Sequence, residues 1–290
     1  MKILIILKRW VGGVGGGVKN IKKELNELGH EVDVIARDDD WQMFGFLGSF
    51  FKYRNKVNKI VKEKNYDIIY TQDWSMALPL LFPSRLFKEK HYCMIHGHQR
   101  KILQENLQII TSKIMGGHIL VMAPSLKRKF PKANINYCGV NVERFFPLEK
   151  KEKRTYLGWT EKGTELISIK EMEEISRGLE MPLLIAKGIP YDEMNDFYNK
   201  CMVYISLPPA NAGFQASWLE AMQAGVPIVV GNNNGAGEIQ PFDKVPLGKE
   251  HDIDLIVNFI RNAKKTHCTN PRCLDFSVQE VFTAVKKILK

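Results

Sequence analysis

The sequence has few cysteines and no long apolar run. Five cysteines occur among its 290 residues, an odd number that does not fit a secreted framework of paired disulfides. Its uninterrupted apolar stretches, such as Ile3 to Leu7, are far shorter than the ~18–20 residues that a membrane-spanning helix needs. That stretch is also too short for the apolar region of a signal peptide, and no cleavage site follows it. We therefore expect a cytoplasmic protein.

Clusters of metal ligands are also scarce. Histidine and cysteine come close together in the sequence at His267, Cys268 and Cys273, but this group does not complete the tetrahedral site that structural zinc requires. The chain has no internal repeat and no biased tract. We expect neither a bound metal nor a resident cofactor.

Positive charge, in contrast, is in excess. The chain carries 42 Lys and Arg against 32 Asp and Glu, a formal net charge of +10. This predicts a basic surface and an anionic partner such as a nucleotide, a phospholipid or a nucleic acid, although the charge can serve solubility alone. With 44% hydrophobic and 26% charged residues, the composition is globular, and the length favours two domains.

The first half of the chain alternates apolar runs with helical patterns. Strands are predicted at Met1–Leu7 and Glu31–Ala36, and between them a glycine-rich loop at Gly12–Gly17 leads into a helix over Val18–Leu28 that stops at Gly29. Strand, helix and strand make one βαβ unit, which implies a parallel sheet. Further strands are predicted at Tyr66–Thr71, Tyr92–Ile95 and Ile119–Ala123.

The second half repeats this alternation. Continuous apolar runs, typical of strands that are covered on both faces, lie at Pro182–Ala186, Val203–Leu207 and Pro227–Val230. Helices are predicted at Tyr191–Cys201, Ala216–Ala224 and Asp275–Leu289. A charged stretch from Pro147 to Arg154 separates the halves, so the predicted domains are residues 1–147 and 148–290. The predicted fold is α/β, with two Rossmann-like, doubly wound parallel-sheet domains and a ligand in the cleft between them.

Four segments, in their order and spacing, carry a family resemblance. They are Gly16-Gly17-Val18 with GHEV at 29–32, YCGVNVERFFP at 137–147, YNKCMVYISLPPANAGFQASWLEAMQAGVPIVV at 198–230, and GNNNGAGEI at 231–239. Together they resemble the retaining GT-B glycosyltransferases of family 4, whose patterns include GVD-x-x-x-F-x-P at the domain junction and E-G-F-G-x-x-x-x-E-A-M-A-x-G-x-P-V. The match is spread over the whole chain, and residues 213–230 are its most specific part.

The resemblance implies a metal-independent transferase of the hexosyltransferase type. It would move a sugar from a nucleotide-diphosphate donor to a hydroxyl group of a glycan or lipid-linked acceptor, with retention of configuration. The N-terminal domain would face the acceptor, and a shortened C-terminal domain would hold the nucleotide. The expected location is the cytoplasm, with peripheral contact to the inner face of the membrane, and no nucleic-acid partner is expected.

The resemblance also implies which residues hold the donor nucleotide and sugar. Glu220 would accept hydrogen bonds from the ribose hydroxyls, since a carboxylate suits a vicinal diol; the alternative is an exposed glutamate on a surface helix. Gly213 and Phe214 would place backbone N–H groups near the sugar and phosphate. The family's first glutamate is replaced here by Ala212, and the neighbouring Asn211 is a candidate substitute.

The phosphates need hydrogen-bond donors and positive charge. Gly16 and Gly17 would let a loop backbone approach them closely; the alternative is a tight turn without a ligand. In the family an arginine and a lysine stabilise the leaving group. Lys162 matches the lysine, but Trp159 stands where the arginine is expected. Two other cations remain candidates for the second charge, Arg177 and Lys187.

The reaction centre is predicted at the carboxyl edge of the first sheet, where ligands of open α/β sheets bind. His96 follows the strand Tyr92–Ile95, and by resemblance it lies near the donor sugar or the acceptor. His98 is the alternative candidate for this position. A further alternative is that His96 is a loop histidine that binds no ligand. Asp73 and Gln72, which follow another strand, are similar candidates at the edge of the cleft.

An aromatic segment, Trp41–Tyr53, is followed by several lysines. Aromatic rings beside lysines suit a membrane interface. The alternative is an ordinary helix with an apolar face toward the core and a solvated basic face.

Two other functions compete with the transferase. A nucleotide-binding or partner protein without catalysis is favoured by Ala212, Trp159 and the shortened domain. An NAD-dependent dehydrogenase is less well supported, because Gly15-Gly16-Gly17 does not follow G-x-G-x-x-G in register, although Asp33 or Asp38 offers an acidic partner for a ribose.

Overall fold

Two parallel β-sheets, one in each half of the chain, form the framework of the protein. The structure, a computed structural model, describes residues 1–8, 10, 12–36, 45–97, 99, 101–136, 140–148, 154–161, 165–208, 215–232, 243–246 and 248–263. The chain divides into two compact units, residues 1–137 and 138–290. The predicted boundary lies further along the chain, at Pro147.

The first unit is built on a parallel sheet of six strands. These are β1 (Lys2–Leu7), β2 (Glu31–Ala36), β3 (Ile68–Thr71), β4 (His91–Ile95), β5 (Ile119–Val121) and β6 (Asn134–Ile135). Their order is β2-β1-β3-β4-β5-β6. The first five lie where the apolar runs predicted strands. Since the strand order reverses direction between β1 and β3, the topological switch point lies there.

Helices connect these strands, and their buried faces follow the helical period. Within the described residues of this unit they are α1 (Gly12–Glu27), α2 (Gly45–Lys64), α3 (Trp74–Leu81), α4 (Ile102–Met115) and α5 (Pro124–Lys129). In α2, the residues Tyr53, Val57 and Val61 recur every four positions and pack in one buried cluster with Leu4 and Ile69 of the sheet.

The described part of the aromatic and basic segment faces this core. The Tyr53 hydroxyl donates to the Met76 carbonyl at 3.1 Å, and the buried Arg54 guanidinium donates to the Pro79 carbonyl at 2.9 Å. Lysines 52, 56, 59 and 62 lie on the exposed side of α2. For these residues the prediction of a core-facing helix with a basic outer face is confirmed.

The second unit contains a parallel sheet of five strands. These are β7 (Tyr156–Thr160), β8 (Leu183–Ala186), β9 (Cys201–Ser206), β10 (Ile228–Gly231) and β11 (Asp243–Val245). Their order is β11-β10-β9-β7-β8, which places the switch point between β7 and β9. The apolar runs predicted β8, β9 and β10, but not β7 or β11.

Helices connect the strands of this unit as well. In its described residues they are α6 (Ile169–Leu179), α7 (Met194–Lys200), α8 (Ala216–Gln223) and α9 (Ile253–Ala263). Helix α6 begins with a capping box between Ser168 and Glu171. The terminal helix predicted at Asp275–Leu289 lies outside the described residues.

Each unit is therefore a doubly wound parallel α/β sheet, and the predicted fold class is confirmed. Among the described residues, none of the helices combines the length and apolar character that crossing a membrane requires.

Candidate functional site

Polar residues that follow β3 lie at the switch point of the first sheet. The backbone N–H of Gln72 donates to the Ile6 carbonyl at 2.8 Å, so the chain leaving β3 is tied to β1. Asp73 comes next and caps helix α3, because its Oδ1 accepts from the Ser75 N–H at 2.7 Å. Both residues lie at the carboxyl edge, where the sequence predicted them.

His96 lies at the same edge, directly after β4. Its Nε2 is 3.1 Å from Oε1 of Gln72, and its Nδ1 is 2.9 Å from the sulfur of Met122, which follows β5. The Gln108 side chain on α4 donates to the Gly97 carbonyl at 3.0 Å, which holds the chain just beyond the histidine. The structure thus brings His96, Gln72 and Asp73 together.

The charge state of His96 follows from its surroundings. Burial lowers the pKa of His96, although the nearby carboxylate of Asp73 acts in the opposite direction. The ring is therefore neutral at pH 7 and donates from Nε2 to Gln72. The Gln72 amide is only 5% exposed, and its Nε2 finds no hydrogen-bond partner among the described residues. A buried donor in this state can bind a ligand oxygen or a water.

The glycine-rich stretch differs from its prediction. Helix α1 begins at Gly12, six residues before the predicted start, so Gly16 and Gly17 belong to the helix and not to a loop. Only the first four N–H groups of a helix lack an intrahelical partner, and those of Gly16 and Gly17 come after them. Gly15 is required for packing, because a Cβ there would overlap the carbonyl of Trp10. The N–H groups of Gly16 and Gly17 are therefore not among the free donors of this helix end.

The switch point of the second sheet holds a carboxylate that sequence reasoning missed. Oε2 of Glu165 accepts from the Leu207 N–H at 2.6 Å, and its Oε1 accepts from the Ser206 hydroxyl at 3.1 Å. Glu165 follows β7, whereas Ser206 and Leu207 lie at the end of β9. Its position three residues after Lys162 was the one signal in the sequence that pointed to this edge.

Glu220 lies on α8 and is buried, with 8% of its surface exposed. Its Oε2 accepts from the hydroxyl of Tyr198, on α7, at 2.9 Å. The alternative that Glu220 is an exposed surface glutamate is therefore wrong. Helix α8 begins at Ala216, so Glu220 stands in its second turn.

Trp159 does not stand at a ligand edge. It lies within β7, 3% exposed, in the core of the second unit, and its Nε1 has no hydrogen-bond partner in the described part of the chain. Arg177 is in the last turn of α6, which leads toward the amino ends of the strands. Lys187 follows β8 at the carboxyl edge, but it pairs with Glu161 at 2.9 Å. Of the two alternatives for the second cation, only Lys187 lies at the predicted edge.

Several predicted site residues lie outside the described residues, and their roles stay predictions. They are His98, Lys162, Asn211, Ala212, Gly213 and Phe214. The group His267, Cys268 and Cys273, which was judged insufficient for a zinc site, lies outside them as well.

The two doubly wound units define the fold as GT-B. Sucrose-phosphate synthase from Thermosynechococcus elongatus has a TM-score of 0.71 at 11% identity, over 99% of this chain and 98% of that chain. HepE from Anabaena, solved in complex with UDP, has a TM-score of 0.69 at 15% identity, over 100% and 99% of the two chains. The lipopolysaccharide outer core galactosyltransferase WaaB has a TM-score of 0.66 at 14% identity, over 100% and 99%. At these identities the likeness shows the shared fold.

A family model matches part of the N-terminal half of the chain. Residues 11–144 match the model of Glycosyltransferase Family 4. The resemblance to family 4 that the sequence motifs predicted is thereby confirmed. None of the curated proteins matches the chain.

Proposed function

We propose that this protein is a glycosyltransferase that moves a sugar from a nucleotide-diphosphate donor to a hydroxyl acceptor. The observation that carries the proposal is the match of residues 11–144 to family 4, on a chain whose whole length has the GT-B fold. Because HepE was solved with UDP, UDP is the first nucleotide to test. Retention of configuration and metal independence are part of the proposal through the family resemblance.

In this proposal the second unit holds the donor nucleotide. The buried carboxylate of Glu220 would accept from the ribose hydroxyls, because a carboxylate offers several acceptor positions to a diol. Glu165 connects the ends of β7 and β9 by hydrogen bonds, and it would thereby fix the geometry of the carboxyl edge of this sheet. Lys162 would neutralise part of the diphosphate charge as it leaves.

The first unit would bind the reacting sugar or the acceptor through Gln72 and His96. The neutral ring of His96 cannot supply a positive charge at pH 7, so its role is to hold the Gln72 amide by the 3.1 Å contact. The unpaired Nε2 of Gln72 would then donate to a hydroxyl oxygen. Asp73, as the cap of α3, would fix the backbone beside them.

The test is release of nucleoside diphosphate from UDP-, GDP- and ADP-sugars by the purified chain, with and without hydroxyl acceptors. We expect turnover with at least one donor, unchanged activity in EDTA, and an anomeric NMR signal that shows retention. The variant Gln72→Ala should lower kcat/KM by about 10-fold or more, as expected for loss of a hydrogen bond to the substrate. The matched variant Gln223→Ala, at the end of α8, should leave the rate unchanged. Nucleotide binding without turnover of any donor would contradict the proposal.

A nucleotide-binding protein without catalysis is the second candidate. The burial of Trp159 favours it, because a core tryptophan cannot replace the arginine that the family resemblance leads us to expect. This candidate predicts that UDP binds as judged by calorimetry, while no donor is consumed over hours in the assay above.

We further propose a cytoplasmic location with peripheral membrane contact through the outer face of α2, which suits a lipid-linked acceptor. The proposal is supported by Phe51, which is 48% exposed, and by Lys59 and Lys62, which are exposed further along the same helix. The protein should sediment together with anionic vesicles, and it should stay in the supernatant when the vesicles are neutral. Phe51→Ser should weaken retention, and equal binding to both vesicle types would contradict the proposal.

A further inference from the structure

A fully buried tyrosine hydroxyl contacts the proposed ribose-binding carboxylate. Tyr198 has no exposed surface, and its hydroxyl donates to Oε2 of Glu220 at 2.9 Å. The two side chains come from different helices, α7 and α8, so the hydrogen bond fixes one helix against the other. A hydrogen bond to a buried carboxylate is stronger than one between neutral groups, and it limits rotation of the carboxylate about its side chain.

The Tyr198 ring is itself held on several sides. It makes edge-to-face contacts with Phe145, Phe197 and Tyr204, with centroid distances of 5.9, 5.3 and 5.4 Å. Aromatic pairs in this geometry add to the stability that burial alone gives. The tyrosine therefore has one position available, and its hydroxyl meets Glu220 at a fixed point.

Phe145 belongs to the junction motif YCGVNVERFFP, and the structure shows what keeps it in place. Oδ1 of Asn141 accepts from the N–H groups of Glu143 and Arg144, each at 3.0 Å, which forms the turn before the phenylalanine. The N–H of Phe146 donates to Oδ1 of Asn195 on α7 at 3.1 Å. The junction segment is thus anchored on the helix that carries Tyr198.

We propose that Tyr198 is a positioning residue of the donor site, which orients the Glu220 carboxylate for the ribose hydroxyls. This inference rests on the proposed function of Glu220. A carboxylate has about four acceptor positions, and Tyr198 takes one of them. Phe145, from the junction motif, packs against the tyrosine ring and so connects this motif with the proposed nucleotide site in the same unit.

The chain offers a matched control for the buried hydroxyl. Tyr204 has no exposed surface either, and its hydroxyl pairs with the Thr160 hydroxyl at 2.8 Å. Tyr198→Phe and Tyr204→Phe each remove one buried hydroxyl from the same aromatic cluster. Of these two variants, Tyr198→Phe is the one that removes the hydroxyl donating to Oε2 of Glu220.

The experiment is calorimetric binding of UDP, GDP and ADP to the full chain, each compared with its 2′-deoxy counterpart. In the wild type the tightest ribonucleotide should bind better than its deoxy form. Tyr198→Phe should weaken the ribonucleotide about 10-fold, the size expected for one hydrogen bond to a charged group, and the deoxy form at most about 2-fold. Tyr204→Phe should keep the wild-type preference. Thermal unfolding of both variants checks that the fold is retained.

The outcomes that contradict the proposed function differ from those that contradict this inference alone. If the wild type binds no nucleoside diphosphate, the proposed function fails and this inference fails with it. If Glu220→Gln removes the preference for ribose while Tyr198→Phe keeps it, the inference alone is overturned. It is overturned too if Tyr204→Phe loses the preference to the same extent. Should Tyr198→Phe not fold, Phe145→Leu keeps the hydroxyl but loosens its support, and an unchanged preference in that variant overturns the inference.

Discussion

The buried histidine at the start of β4 makes the first unit sensitive to acid. His91 has no exposed surface; its Nε2 is 3.1 Å from the Thr71 hydroxyl, and its Nδ1 finds no hydrogen-bond partner among the described residues. Burial, with smaller contributions from Arg85 and His118, lowers the pKa of His91 from 6.5 to about 3. The folded protein therefore keeps this ring neutral where the unfolded chain would protonate it.

The sign and size of the effect follow from linkage. Between pH 6.5 and about 3 the unfolded chain binds a proton at His91 that the folded chain excludes. The stability is therefore fully present above pH 6.5 and is lost as the pH falls, by up to about 1.4 kcal/mol for each pH unit. From about pH 7.5 to about pH 4.5, His91 alone should reduce the free energy of unfolding by roughly 3 kcal/mol.

The measurement is urea unfolding at both pH values for the wild type and His91→Gln. The variant should be less stable at pH 7.5, because a packed ring is lost, but its loss on acidification should be smaller by roughly 3 kcal/mol. His251→Gln is the control, since His251 is exposed and pairs with Glu171, and its effect should stay under about 1 kcal/mol. Equal acid sensitivity in His91→Gln and the wild type would refute the reasoning, as would a His91 ring that titrates near pH 6.5 by NMR.

Two further substitutions test the packing of the second unit. Gly158→Ala should destabilise the protein by about 1–3 kcal/mol, because a Cβ at Gly158 would overlap the sulfur of Cys201; adding Cys201→Ala should recover part of the loss in urea unfolding, and strictly additive effects would count against this contact. Ser168→Ala should cost about 0.5–2 kcal/mol, since it removes the capping box of α6. An unchanged unfolding midpoint would show that the cap contributes nothing.

The sequence predicted most strands of both sheets because they coincide with short runs rich in apolar residues, which are largely buried in β1, β5, β9 and β10. The predicted strand Glu31–Ala36 has the same limits as β2. Strand β7 was missed, since Tyr156–Thr160 carries a glycine in its centre and matched the phosphate-binding segment of the family. That glycine is explained by its contact with Cys201, far along the chain. Tertiary packing of this kind leaves no local pattern.

The start of α1 was misplaced for a related reason. Glycine has a low helix propensity, so Gly12–Gly17 was predicted as a loop. The helix nevertheless includes these residues, and Gly15 lets its backbone lie against Trp10. This close approach to a residue just before the helix requires a glycine at position 15, which a propensity scale does not show.

Some residues of the candidate site could be predicted from the local sequence, whereas others depend on partners that are distant in the sequence. His96 and Asp73 were predictable, because each follows a strand directly and so must lie at the carboxyl edge. Tyr198 and Glu165 were not, since their partners stand 22 and 41 residues away in the sequence. The first pair joins two helices and the second joins the ends of two strands, so both contacts are decided by tertiary packing.

The positive charge available to a departing diphosphate has fewer sources than the sequence suggested. Trp159 belongs to the core, Arg177 lies toward the amino ends of the strands, and Lys187 is paired with a neighbouring glutamate. Lys162, the remaining cation considered for this role, lies outside the described residues, and its role stays a prediction. Because Glu220 brings a negative charge to the same unit, repulsion would oppose phosphate binding near it. The proposed donor site must therefore hold the ribose through the carboxylate and hold the phosphates through Lys162 and backbone N–H groups, which bind anions without a side-chain charge.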